Sequence, residues 1–128
     1  MKKKISLSET EWRIMRILWN DKKATVKEVW SSLYPKKEKA YTTVQTTMDR
    51  LVEKNFLAKE KIGLVNFYQP LISEKKALTQ ATENLVSRAF QGSFGLLAAH
   101  LIDSPQFEAS DLKKIKELIK QKEEEEKP

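Results

Sequence analysis

Apolar residues recur at helical spacing three times before Asn55, then at strand spacing, then at helical spacing again toward the end of the chain. Trp12, Met15, Leu18 and Trp19 form the first stripe, and Ser8 with Glu11 three residues on makes a capping box at its start. Asn20-Asp21 ends that helix. Thr25 and Glu28 form a second box, which opens a short helix on Val26, Val29, Trp30 and Leu33 that Pro35 stops. Just before it, Ala24-Thr25 suits a brief strand pairing. A third helix is predicted from about Tyr41 to Lys54. Tyr41, Val44, Met48, Leu51 and Val52 are its apolar stripe, and Thr42, Thr43, Gln45, Thr46, Asp49 and Arg50 lie on the opposite face.

After Asn55, which suits a helix cap, the period changes to two. Residues 56–61 and 64–68 read as two strands turning at Ile62-Gly63, and Pro70 closes the hairpin. Ser73 then caps a helix carrying Leu78, Ala81, Leu85, Val86 and Ala89, up to about Phe90. Gln91-Gly92-Ser93 interrupts, Phe94 to Ile102 is a short and strongly apolar helix, and Asp103-Ser104-Pro105 breaks it. Ser110 is the expected cap of a last helix with Leu112, Ile115, Leu118 and Ile119, and the Glu123–Glu126 run is read as a solvated, frayed end.

Three short helices and a hairpin within about seventy residues are the winged-helix order. The fold class expected is therefore mainly α with a small β-hairpin wing. A winged helix-turn-helix domain would occupy residues 1–72 and a helical dimerisation segment residues 73–128.

Charge changes the picture in the same direction. Residues 1–72 carry 15 Lys+Arg against 8 Asp+Glu, a net +7, while residues 73–128 carry 9 against 10, a net −1. A basic half beside a neutral one suits a polyanion-binding module joined to something else. The Tyr41–Lys54 helix is the one a helix-turn-helix presents to the major groove, and four threonines sit in it as Thr42-Thr43 and Thr46-Thr47. Each costs up to roughly 0.7 kcal/mol against alanine inside a helix. Something other than propensity favours hydroxyls on that face. Thr and Gln hydrogen-bond to bases or phosphates, and a Thr methyl touches the thymine methyl. Arg50 is better placed for a phosphate or an internal ion pair than for a base. Lys59 and Lys61 are cations of the sort a phosphate-contacting wing would use, although the tip Ile62-Gly63-Leu64-Val65 is apolar. That apolar tip keeps open the alternative of a winged helix used for protein–protein contact.

Other classes find little support. There is no cysteine and one histidine, His100, inside an apolar helix, and the glycines are scattered at Gly63, Gly92 and Gly95. No enzyme, cofactor or metal site is expected from that inventory. Met1-Lys2-Lys3-Lys4-Ile5-Ser6 is basic with no apolar run behind it, and no stretch approaches a membrane span, so a cytosolic protein without a membrane partner is expected.

Three stretches resemble the penicillinase-repressor family, the BlaI/MecI/CopY type of bacterial repressor. They are Leu7-Ser8-Glu9-Thr10-Glu11-Trp12-Arg13-Ile14-Met15, the helix from Tyr41 through Leu51, and Lys61-Ile62-Gly63 through Phe67-Tyr68-Gln69-Pro70. The resemblance implies a homodimer that binds a palindromic operator and represses a resistance or metal-homeostasis operon. Carried over by position, Thr43, Gln45 and Thr46 would face bases of double-stranded operator DNA. Tyr41, Thr42, Arg50, Lys59 and Lys61 would contact the backbone. Two departures leave the inducer, and any regulatory protease, open. Members that answer β-lactams are cleaved at an Asn-Phe bond where this chain has His100-Leu101, and the copper-responsive branch carries cysteine pairs that this chain lacks.

The physical case for a dimer is separate. About fifty-five residues in three helices are too few to bury a self-sufficient core, and a helix apolar over most of its circumference must be covered nearly all round. Leu85, Phe94, Leu97, Leu101, Ile115, Leu118 and Ile119 are the residues expected to meet a second copy. Packing of these helices onto the amino-terminal domain of the same chain is the alternative.

Overall fold

The computed structural model describes residues 6–127; the basic Met1–Ile5 opening and Pro128 lie outside them. The order of elements is α1 (Glu9–Asp21), α2 (Val26–Leu33), α3 (Tyr41–Glu53), β1 (Leu57–Ile62), β2 (Val65–Pro70), α4 (Glu74–Ala89), α5 (Phe94–Asp103) and α6 (Ala109–Glu125). Both expected capping boxes form. Ser8 Oγ accepts from the Glu11 N–H at 3.1 Å while Glu11 Oε1 accepts from the Ser8 N–H at 2.9 Å. Thr25 and Glu28 repeat the exchange at 3.1 and 3.0 Å. At the end of α3, Asn55 takes φ +65°, and the N–H groups of Asn55 and Phe56 reach back to the carbonyls of Val52 and Leu51. That is a Schellman motif, which turns the chain out of the helix and into β1.

Two compact units divide inside α4, between Thr82 and Glu83. In the first, Ile14, Met15 and Leu18 of α1 meet Val29 and Leu33 of α2, Val44, Met48 and Leu51 of α3, and Phe56, Leu57 and Tyr68 of the hairpin. Ala77 from the first turn of α4 joins the same core. Burying each of the larger aliphatic and aromatic side chains contributes about 1.5–3 kcal/mol. The tryptophans sit at the edge of this core, not at its centre, because each indole N–H needs a partner. Trp12 and Trp19 lie 6.1 Å apart between ring centroids, and Trp19 Nε1 donates to the Ile72 carbonyl at 2.8 Å, closing the exit from the hairpin.

The hairpin is antiparallel, with Leu57 opposite Pro70 and Ile62 opposite Val65. Its turn is Gly63-Leu64, one residue later than the Ile62-Gly63 expected. Gly63 has φ +65°, and a positive φ at the first central position of a two-residue loop is the type II′ arrangement, for which glycine is the natural choice. Leu64 consequently leaves the strand and stands at the tip, 94% exposed. Ala24 does pair as a brief strand: its N–H and carbonyl exchange bonds of 3.0 and 2.8 Å with Tyr68.

In the second unit Val86 is buried, and Ser93 Oγ caps α5 by accepting the Leu96 N–H at 3.1 Å. The last helix begins at Ala109, so Ser110 is inside its first turn and not its cap. Instead Glu108 is the cap residue, and Asp111 Oδ2 accepts its N–H at 3.0 Å. The helix continues through Glu125, exposed but regular, where a frayed end had been expected. No helix among the described residues is long and apolar enough to cross a membrane.

One buried charge ties α1 to the end of α3: Glu11, almost fully buried, accepts Lys54 Nζ at 2.9 Å in addition to the Ser8 N–H. Burial alone would raise the Glu11 pKa, but the Ser8 backbone N–H and the Lys54 ammonium outweigh it and hold the carboxyl below the ordinary value. The ionised form is therefore favoured by folding. The resulting stability is present above the unfolded glutamate pKa and is lost as pH falls through the native one. Glu11→Gln should cost about 1.5–3 kcal/mol near neutral pH. In urea titrations the gap to the parent should narrow below about pH 4. A gap independent of pH would contradict this account.

Candidate nucleic-acid interface

The turn between α2 and α3 sets the angle at which α3 is presented, and it is pinned from inside. Trp30 Nε1 donates to the Lys39 carbonyl at 2.8 Å, and the Trp30 ring meets Tyr41 edge-on with centroids 5.8 Å apart. Lys37 adopts φ +59° and its N–H closes on the Tyr34 carbonyl at 2.9 Å. Held this way, α3 buries Val44, Met48 and Leu51 and turns Thr42, Thr43, Thr46 and Arg50 outward, with Gln45 half-buried beside them and Tyr41 exposed at the start.

The threonines of the second pair do different things. Thr47 Oγ1 donates to the Thr43 carbonyl at 2.9 Å, so its hydroxyl is engaged within its own helix. Thr43 and Thr46 stand exposed. Arg50 joins no ion pair among the described residues and is exposed in the last turn of α3, next to the hairpin in sequence and open to solvent.

On the wing, the two lysines part company. Lys61 is exposed opposite Asn66. Lys59 is held: its Nζ lies 3.1 Å from Asp49 Oδ1 and 5.6 Å from the centre of the Tyr68 ring. The same Asp49 oxygen accepts the Tyr68 hydroxyl at 2.7 Å. Burial first, and the Asp49 carboxylate second, push the Tyr68 phenol far above its ordinary pKa, so it remains a donor. Asp49 thus belongs to the junction with the wing more than to the open face on which the sequence placed it.

A groove of about 450 Å³ runs between α2, α3 and the wing, and Lys27 and Asn66 line it together with Tyr41 and Gln45. Lys27 and Asn66 escaped the sequence reading. Lys27 was legible as an outward position in the first turn of α2, once Thr25 was read as the cap. Asn66 depends on hairpin register, which the one-residue shift of the turn decides. The expected dimerisation residues lie in the second unit: Leu85, Phe94, Leu101, Leu118 and Ile119 are exposed, and Leu97 and Ile115 are half-buried.

Three helices, a wing and an outward face of hydroxyl, amide and guanidinium groups define a winged helix-turn-helix DNA-binding protein. The sequence model described as penicillinase repressor matches residues 7–121, and the chain belongs to that family. It is 21% identical to the methicillin resistance regulatory protein MecI of Staphylococcus aureus (strain N315), over 94% of this chain and 98% of that protein. Two solution structures are similar over 59% of this chain and 93% of theirs, at 32% identity. They are the DNA-binding domain of the repressor BlaI, with a TM-score of 0.51, and the monomeric form of Bacillus licheniformis BlaI in complex with the blaP half-operator, with a TM-score of 0.50. The expected fold class and family both hold, and the chain is a DNA-binding repressor of transcription.

The contrast between neighbouring threonines gives a direct test. Thr46→Ala should lower the preference for operator over mixed-sequence duplex by about 1 kcal/mol. Thr47→Ala should leave that preference intact and slightly stabilise the helix, by up to about 0.7 kcal/mol. Equal losses of preference in the two variants, measured by fluorescence anisotropy, would refute the assignment.

Proposed function

We propose that the protein acts as a homodimer that silences a resistance or metal-homeostasis operon by occupying an inverted-repeat operator. One observation carries the dimer: α5 and α6 bury no side chain within a single chain, although α5 is apolar over most of its circumference. Phe94 is 57% exposed, and Leu118 and Ile119 are each 52% exposed. Covering the exposed half of such side chains contributes about half of the 1.5–3 kcal/mol that full burial gives, and a twofold axis supplies the cover because one patch serves both subunits.

In this reading Thr43, Gln45 and Thr46 of each subunit meet base edges in the major groove. Tyr41, Thr42, Arg50 and Lys61 fix the register on the backbone. Two such faces on one axis call for half-sites about one helical turn apart, roughly 34–36 Å, or a multiple of it. The names of the relatives, which include a methicillin resistance regulator, support the type of operon.

Light scattering at micromolar concentration should return the dimer mass for the parent chain. Leu101→Glu with Leu118→Glu should return the monomer mass while the winged unit keeps its helical circular dichroism, since both leucines are already exposed in the single chain. A parent chain that scatters as a monomer would overturn the dimer. On DNA, neutralising roughly 6–10 phosphates makes affinity fall about 10³–10⁵-fold between 50 and 200 mM salt. A flat response would instead favour a protein-binding winged helix, which the exposed Leu64 tip would suit.

A further inference from the structure

An acidic residue on a helix that approaches a phosphate backbone is unfavourable unless something offsets it. Asp49 is such a residue, on α3 between the exposed Thr46 and Arg50. Its Oδ1 accepts from both strands of the wing: Tyr68 Oη on β2 at 2.7 Å and Lys59 Nζ on β1 at 3.1 Å. Lys59 and Tyr68 are directly opposed in the hairpin register, so the three groups form one compact cluster. Tyr68 cannot follow a moving partner, because its ring is fully buried and its backbone is bonded in both directions to Ala24. Lys59 can, since its side chain and that of Asp49 are both partly open to solvent.

We propose that Asp49 is a specificity-determining positioning residue that keeps the Lys59 charge from the DNA backbone. Resting on the DNA-binding reading above, it ties the wing to the reading helix and cancels one cation at their junction. Attraction to any duplex is thereby weakened, while the hydroxyl and amide contacts of α3, which carry sequence information, are untouched. Electrostatic attraction raises affinity for all sequences alike, so removing one unit of it increases the share of binding that base contacts decide. Lys61, exposed two residues further along the same strand, remains the available wing cation.

The experiment uses the full chain and a mixed-sequence DNA duplex, with affinity followed across a range of salt concentrations. Asp49→Asn keeps an oxygen for the Tyr68 hydroxyl and removes the charge. It is expected to steepen the dependence of log affinity on log salt by about 0.9 per protomer, and to tighten binding about fivefold per protomer near 0.15 M salt. Adding Lys59→Gln to that variant should restore the parent slope. Lys59→Gln alone should not steepen the slope, because it removes the cation that Asp49→Asn releases and leaves Asp49 without its partner. A slope unchanged by Asp49→Asn, or one that stays just as steep when Lys59→Gln is added to it, would overturn the proposal while leaving the DNA-binding reading standing. A parent chain with no salt-dependent binding would overturn both.

Discussion

The backbone of Tyr68 exchanges two hydrogen bonds with Ala24, its ring is fully buried among the helices, and its hydroxyl reaches Asp49 on α3. A two-stranded hairpin on its own is marginal in water. Here it gains a β-bridge to Ala24, just before α2, and an apolar anchor in the helical core. The position of the wing relative to the reading helix is therefore set by a packed, hydrogen-bonded residue and not by the flexibility of a loop. Without that anchor the wing lysines, the groove lined by Lys27 and Asn66, and the open face of α3 would have no fixed relation to one another.

The reading face itself is assembled against local preference. Threonine is a mediocre helix former, and α3 has no side-chain cap at Ala40. What compensates is tertiary. Val44, Met48 and Leu51 are buried, Trp30 holds the preceding turn through its indole N–H, and Asn55 closes the far end. The Glu11–Lys54 pair then links that far end to α1. A helix fixed at both ends and along one side can carry unfavourable residues on the other, which is what the proposed DNA-reading face would require.

The second unit follows a different logic. Its helices are regular and capped, yet the apolar positions of α5 and α6 remain partly or largely exposed in one chain. Secondary structure there is complete before burial is. A proposed twofold partner resolves this with the same residues from both sides, and it links DNA binding to assembly. In that proposal two reading faces would add their contacts only when the second units are joined.

Much of this was legible in the chain. The capping boxes at Ser8 and Thr25, the stop at Pro35 and the hydroxyl-rich face of the third helix follow from near-neighbour chemistry, in which what matters lies within a few residues; the brief pairing at Ala24 was expected too, but its partner Tyr68 is supplied by the fold. The same locality explains the misses. Gly63 moved the hairpin turn because φ at one position fixes the register of every residue after it, and Glu108 took the cap expected of Ser110 because Asp111, three residues on, accepts the Glu108 N–H and starts the helix earlier. Sequence alone determined which faces are apolar and which carry hydroxyls and charge. Only the tertiary structure decided which charged groups are available. Lys59 and Lys61 are equivalent in pattern, and what distinguishes them is an aspartate ten positions away that the fold of the hairpin brings within 3.1 Å of one and not the other.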